Sequence, residues 1–435
     1  MTLLKRNQVI FTKKAKLSPG IVVAVCSFVY FVSYFSRKDF AAAMAEMISE
    51  GVIDKQLGGY ISMAMFILYG VGQLVSGFLG DRVRPAHLLA LGLLTTAVSN
   101  LLMPLLPGAA MIPLWGVNGL AQAMLWPPIV RILADTLDHE RFVRANLLVT
   151  CAAHLSTVLL YLYVPLTIAV ANWRLTFYTA SAVAFLAGAL LIVLSAFTIL
   201  GNKPPKKQKP TPVSTSDNKN DNNYLHIALA AGIPTVILAI TAMGFLRDGI
   251  ETWLPTLLTE AFSMRPEQSI LISVTLPIFS ALSIAVITAL HKTRLFGNEV
   301  LGATCIFLLA ILCALALVFF VGGTSGVARV ITLALACLVS GLMHAVNFLY
   351  ISCLPGRFAP YGRAATTSGV CNAFTYVGAA ISMYGIASIS DLFDWRAVML
   401  LWGGVALLGA VFSVISLGKY TKFIRKDAND NEEIS

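Results

Sequence analysis

The sequence predicts an all-α integral membrane protein, with twelve transmembrane helices in two pseudo-symmetric six-helix halves. Three observations predict it. The 435-residue chain is 57% hydrophobic and only 12% charged, with a mean hydropathy of +0.80, whereas a soluble domain carries about 25% charged residues. Uncharged apolar runs of about 20 residues, the length a bilayer core requires, recur along nearly the whole chain. The sparse charges also repeat in order. One offset relates Arg37 to Arg247, Glu50 to Glu260, Lys55 to Arg265, and Arg82 and Arg84 to Lys292 and Arg294. A slightly larger offset relates Arg141 to Arg363 and "NWR" 172–174 to "DWR" 394–396.

The elements follow in chain order. Residues 1–18 form a basic cytoplasmic segment with Lys5, Arg6, Lys13, Lys14 and Lys16. The first apolar run follows it as in a signal peptide, but it is too long for an h-region and no cleavage-type site follows, so it reads as a retained helix. Spans near 19–47, 57–80, 86–106, 109–134, 144–170 and 174–200 make an N-terminal half, 19–200. The stretch "GNKPPKKQKPTPVSTSDNKNDNN", within a cytoplasmic linker at 201–224, has the composition of a flexible connection. Spans near 225–261, 266–290, 297–322, 326–354, 364–389 and 395–418 make the C-terminal half, 225–418, and 419–435 is a cytoplasmic tail. Helices are expected throughout, because a backbone facing lipid must satisfy its own hydrogen bonds.

Lys and Arg crowd into alternate connections, which is the positive-inside pattern. It predicts cytoplasmic N- and C-termini in a multi-pass protein of the cell (inner) membrane, and it accounts for the net charge of +10 without a nucleic-acid partner. None of the seven cysteines forms a C-x-x-C pair, so they read as small buried hydrophobes. No metal cluster, Walker loop or nucleophile–base arrangement is visible, so neither an enzyme nor a cofactor is expected.

The informative residues are charges inside spans. In "YFVSYFSRKDFAAAM", residues 30–44, Arg37, Lys38 and Asp39 interrupt an apolar run, and "MGFLRDGIETWLP" places Arg247 at the equivalent point of span seven. Intramembrane charges are costly and face cavities that bind substrate or one another. Two arginines converging between the halves repel until an anion arrives, and each guanidinium fits phosphate or carboxylate in a fork. Tyr30, Tyr34 and Arg37 share one helical face, with Lys38 beside them. Glu251, one turn beyond Arg247, is expected to pair with it, whereas Asp39 and Asp248 point about 100° away from the cations next to them. "TCAAHLST" places His154 in span five, and His344 of span ten reads as a polar packing residue. Trp126, Pro127 and Pro128 are expected to shape and kink span four.

Two motifs carry a resemblance. "GFLGDRVRP", 77–85, resembles the G-x-L-x-D-R-x-G-R-R loop of the major facilitator superfamily, with Arg84 in place of a glycine. There Asp81 and Arg82 would act as a conformational latch, formed in one state and released in the other. "YFVSYFSRKDFAAAM", "LRDGIETWLPTLL" and "MLWPPIVR" (124–131) resemble the organophosphate:phosphate antiporters of that superfamily. The resemblance implies that the chain exchanges a small organophosphate for inorganic phosphate by alternating access, as a monomer. It also implies that Arg37 and Arg247 bind the phosphate, with Lys38, Tyr30, Tyr34 and His154 around them. The sequence departs from the family at Gln73, where members carry a lysine, and at the acidic residues Asp39, Asp248 and Glu251, which are candidates for coupling. Two other readings remain open: a proton-coupled organic-anion symporter using Asp39 or Asp248, and a non-transporting sugar-phosphate receptor.

Overall fold

The computed structural model describes residues 17–80, 83–197, 226–291, 293, 295–358, 361 and 363–432. Most of the N-terminal segment, the central linker and the latch pair Asp81 and Arg82 lie outside the described residues. The first half comprises α1 (Pro19–Ser49), α2 (Lys55–Gly80), α3 (Pro85–Leu102), α4 (Met111–Ala123), α5 (Trp126–Thr136), α6 (His139–Val170) and α7 (Arg174–Phe197). The second comprises α8 (Ile233–Phe262), α9 (Pro266–Ile272), α10 (Thr275–Leu290), α11 (Glu299–Phe320), α12 (Gly326–Asn347), α13 (Ala364–Leu392) and α14 (Trp395–Glu432). Among the described residues there is no strand, and ten helical stretches are long and apolar enough to cross a membrane.

Spans two and four of the twelve expected are not among those ten; α2 is nevertheless a continuous helix, whereas span four is two short ones. Pro127 and Pro128 lack the amide hydrogens that would bond back to Ala123 and Met124, so the helix ends at Ala123 and restarts at Trp126. Span ten breaks at the related place: after Asn347 it continues as a π turn, Phe348–Cys353, and a 3₁₀ turn, Leu354–Phe358. The offset that carries Arg141 onto Arg363 also carries Trp126 onto Phe348. Span eight divides as well, into α9 and α10.

Packing repeats between the halves. Spans one and five, two and four, and three and six pair as α1–α6, α2–α4 and α3–α7. Spans seven and eleven, eight and ten, and nine and twelve pair as α8–α13, α10–α12 and α11–α14. With little hydrophobic drive between helices in lipid, small residues let backbones approach closely. A Cβ on Gly244 of α8 would strike the Thr375 carbonyl of α13, and one on Gly378 of α13 would strike the Thr241 carbonyl of α8.

Two boundaries differ from expectation. Span seven becomes the long helix α8 only at Ile233, after a turn in which Gly232 has a φ of 74°. The expected tail is helical to Glu432, because Tyr420, fully buried, donates its hydroxyl to Glu299 at 3.1 Å and ties α14 back to α11.

The halves meet along α2–α13, α1–α8 and α6–α9. At one end this contact is an ionic seal. Lys55, at the start of α2, lies 2.7 Å from Asp391 of α13 and 3.0 Å from Glu260 of α8. Within each half one Glu–Trp pair braces this end: Trp173 Nε1 donates to Glu50 and Trp395 Nε1 to Glu260, both at 3.0 Å. The repeat is thus visible in bonds, except that Lys55 reaches across while its counterpart Arg265 is exposed. Stacked Tyr60–Tyr384 rings, 4.7 Å apart, and the tilted Tyr69–Tyr376 pair, 4.5 Å apart, continue the contact along α2 and α13.

Candidate functional site

At the inner end of that seal lies a cavity of about 240 Å³, walled by both halves. Arg37 of α1 and Arg247 of α8 both line it, with Lys38, Tyr34, His154, Asp248, Glu251 and His344. The two arginines are held differently. The Arg37 guanidinium lies over the rings of Tyr34 and Tyr69, 4.2 and 5.1 Å from their centroids. Among the described residues it makes no ion pair. Arg247 is engaged at both terminal nitrogens: Nη1 donates to Asn347 Oδ1 and Nη2 to Asp248 Oδ2, both at 2.7 Å.

Two expected pairings are corrected. Asp248 does bond its neighbour Arg247, because the long arginine side chain swings back over the 100° between adjacent helical positions. Glu251 turns away from Arg247 and crosses to the other half, where its Oε2 meets Lys38 Nζ at 2.7 Å. That ion pair spans the boundary between α1 and α8. The other oxygen of Glu251 lies 3.2 Å from His344 Nε2. Lys38, Glu251 and His344 thus form one chain of polar contacts across the cavity wall.

The remaining candidates divide. His154 lines the cavity. Tyr30 and Gln73 are not on its wall: Tyr30 packs against Trp126 at 4.8 Å and reaches the site only through a 3.5 Å hydroxyl contact with Tyr34. Gln73 is half-buried, three residues beyond the Gly70–Tyr376 contact. Asp39 is also off the wall, entirely buried, with Oδ1 accepting from the Phe40 amide and Oδ2 without a partner among the described residues.

Sequence reasoning read His344 as a packing residue, whereas it lines the cavity, and missed Asn347, Tyr69 and Tyr376. One signal was available: "MHAVN" sets His344 and Asn347 three apart, on one face of an otherwise apolar helix, just before the π turn. Chemically, the site offers one uncompensated guanidinium, a second cation that an anion can compete for, and several neutral donors. It suits a compact anion.

A family model of the Major Facilitator Superfamily matches residues 26–383. The chain is 24% identical over 402 residues to a glycerol-3-phosphate transporter of Bacillus subtilis (strain 168), covering 88% of each chain. It is 38% identical over 108 residues to a probable hexose phosphate transport protein of Chlamydia trachomatis, covering 24% of this chain and 23% of that one. Among solved structures it resembles a bacterial homologue of the human lysosomal transporter Spinster in an inward-facing, unoccupied conformation. That likeness has a TM-score of 0.71 and 14% identity, and covers 94% of this chain and 99% of the other.

Proposed function

We propose, for a chain that belongs to the Major Facilitator Superfamily, a carrier that exchanges a small organophosphate for inorganic phosphate by alternating access. The observation that carries this reading is the contrast between the two arginines in one cavity. Arg247 has a carboxylate and Lys38 has Glu251, whereas Arg37 rests on tyrosine rings with its charge uncompensated. A phosphate group would take the Arg37 fork and compete with Asp248 for Arg247, drawing α1 and α8 together. The glycerol-3-phosphate and hexose phosphate carriers to which the chain is similar support a phosphorylated substrate.

Exchange follows from charge. An empty carrier would take an unpaired guanidinium through a closed state in low dielectric, which is unfavourable, so reorientation waits for an anion. The positive-inside pattern of the basic loops supports a cytoplasmic linker and termini with the Lys55 seal outside; in that orientation the conformation with the seal closed addresses the cytoplasm. In this reading the protein works as a monomer in the inner membrane.

The test is flux. Proteoliposomes loaded with inorganic phosphate should take up glycerol 3-phosphate or a sugar phosphate without a pH gradient, and vesicles empty of anion should take up little. Accumulation in empty vesicles under an inward proton gradient would establish symport instead. Binding without turnover would establish a receptor.

A further inference from the structure

Each ring nitrogen of His344 faces an acceptor. Nδ1 lies 3.0 Å from the carbonyl oxygen of Ser340, one turn earlier on α12. Nε2 lies 3.2 Å from Glu251 Oε1. A carbonyl and an ionised carboxylate only accept, and a neutral imidazole carries a single N–H. A neutral ring would therefore turn a lone pair against one of these two oxygens. The arrangement is satisfied on both sides only when the pair holds one more proton. Lys38, 2.7 Å from the other Glu251 oxygen, keeps that carboxylate ionised and leaves the extra proton on the ring.

We propose that His344 and Glu251 form a proton-binding site of this carrier, and that proton and anion are taken up together. The groups around it come from every neighbouring helix. Lys38 and, beyond it, Arg37 face it from α1, and Arg247 with its own Asp248 from α8. From α6 come His154 and Tyr161, whose hydroxyl donates to the Glu251 backbone carbonyl at 3.4 Å. From α13 come Asn372 and Tyr376, while α10 presents apolar Pro277 and Ile284.

The consequence is a change in cavity charge. Lys38 cancels Glu251 and Arg247 cancels Asp248, so protonated His344 and Arg37 remain as two uncompensated positive charges. A phosphate monoester is close to a dianion above about pH 6. Loss of the proton leaves one charge against two, so anion and proton each strengthen the other's binding, by the same factor. The inference rests on the reading of the site as one for phosphorylated anions. It leaves exchange independent of a pH gradient, because both exchanged anions take the proton with them.

Two measurements on the full chain in lipid bilayers test it. The first needs no ligand: ring nitrogen NMR of nitrogen-15 histidine-labelled protein, with the His344 signal identified by its loss in His344→Gln, or in His344→Asn if the first variant does not fold. At neutral pH His344 should be an imidazolium, and in Glu251→Gln it should become a neutral ring protonated at Nδ1. A neutral His344 in the unmodified protein overturns the proposal. The second is glycerol 3-phosphate affinity between about pH 7 and 9, where the ester's own charge is nearly constant. It should weaken by about ten-fold in the unmodified protein, and be weak and flat in His344→Gln. An equal slope in both also overturns it. If neither protein binds the ester, the substrate reading fails, and the ligand-free measurement still decides the proton site.

Discussion

Arg37 and Arg247 are related by the repeat yet held in different ways, and the difference sets what substitutions should do. Lysine at either position keeps the charge and loses the planar fork. One lost charge-assisted hydrogen bond corresponds to about 1.5–3 kcal/mol. Arg37→Lys and Arg247→Lys should therefore weaken phosphate-ester binding by about ten-fold or more while leaving expression and monodispersity unchanged; full exchange by both would falsify the clamp. Asp248→Asn frees Arg247 from the carboxylate it pairs with, so counterflow should persist, with anion binding equal or tighter. Asp39→Asn replaces a buried carboxylate that has one oxygen unpartnered, and should likewise keep counterflow. Abolished counterflow in either acidic variant would make that residue essential to coupling. The pattern of charges in the sequence identified Arg37, Lys38, Arg247 and Glu251 as intramembrane residues. It could not show that Glu251 would choose Lys38 over Arg247, because that choice depends on how α1 and α8 are rotated about their axes.

At the scale of helices, close approach is set by glycine. Gly244 and Gly378 face each other's partner backbones at the α8–α13 crossing, which holds spans seven and eleven together. A side chain there must push the helices apart, and overpacking costs about 1–3 kcal/mol. Gly244→Val and Gly378→Val should each lower the thermal unfolding temperature in detergent by several degrees. At Gly20, where added volume meets nothing, the same substitution should leave it unchanged. Equal melting of all three variants would show that the crossing tolerates separation. The breaks in spans four and ten belong to this scale as well. Pro127 and Pro128 announced the first in the sequence, whereas the π turn after Asn347 has no proline or glycine within it and was not legible.

Across the whole molecule, Lys55 joins the two halves through Glu260 and Asp391. Lys55→Gln removes both ion pairs and should shift the population toward a form open at that end. The readout is a cysteine introduced at Ser62, a cavity-wall position on α2. It should react faster with an impermeant thiol reagent from the outside in Lys55→Gln than in the otherwise unmodified background, and unchanged labelling would remove the seal from the switching mechanism. Orientation has its own check. Cysteines at Ser214 and Asn429 should react only from the cytoplasmic side and one at Asp54 only from outside, and outside labelling of Ser214 in intact cells would reverse the topology.

The sequence by itself determined the class of molecule, the order of its helices, the repeat, and which charges interrupt its apolar runs. All of these follow from one-dimensional quantities: the length of apolar runs against bilayer thickness, the side of each basic loop, and the recurrence of rare residues at a common offset. Tertiary structure alone decided which of those charges meet. The Lys38–Glu251–His344 chain joins three helices from two halves, and its existence depends on helix rotation and on the docking of α1 against α8. Tyr30 and Gln73 left the wall, and Asn347, Tyr69 and Tyr376 joined the arginines, for the same reason. In lipid, apolar faces are nearly interchangeable, so sequence pattern leaves rotation open until small residues and polar pairs select one packing.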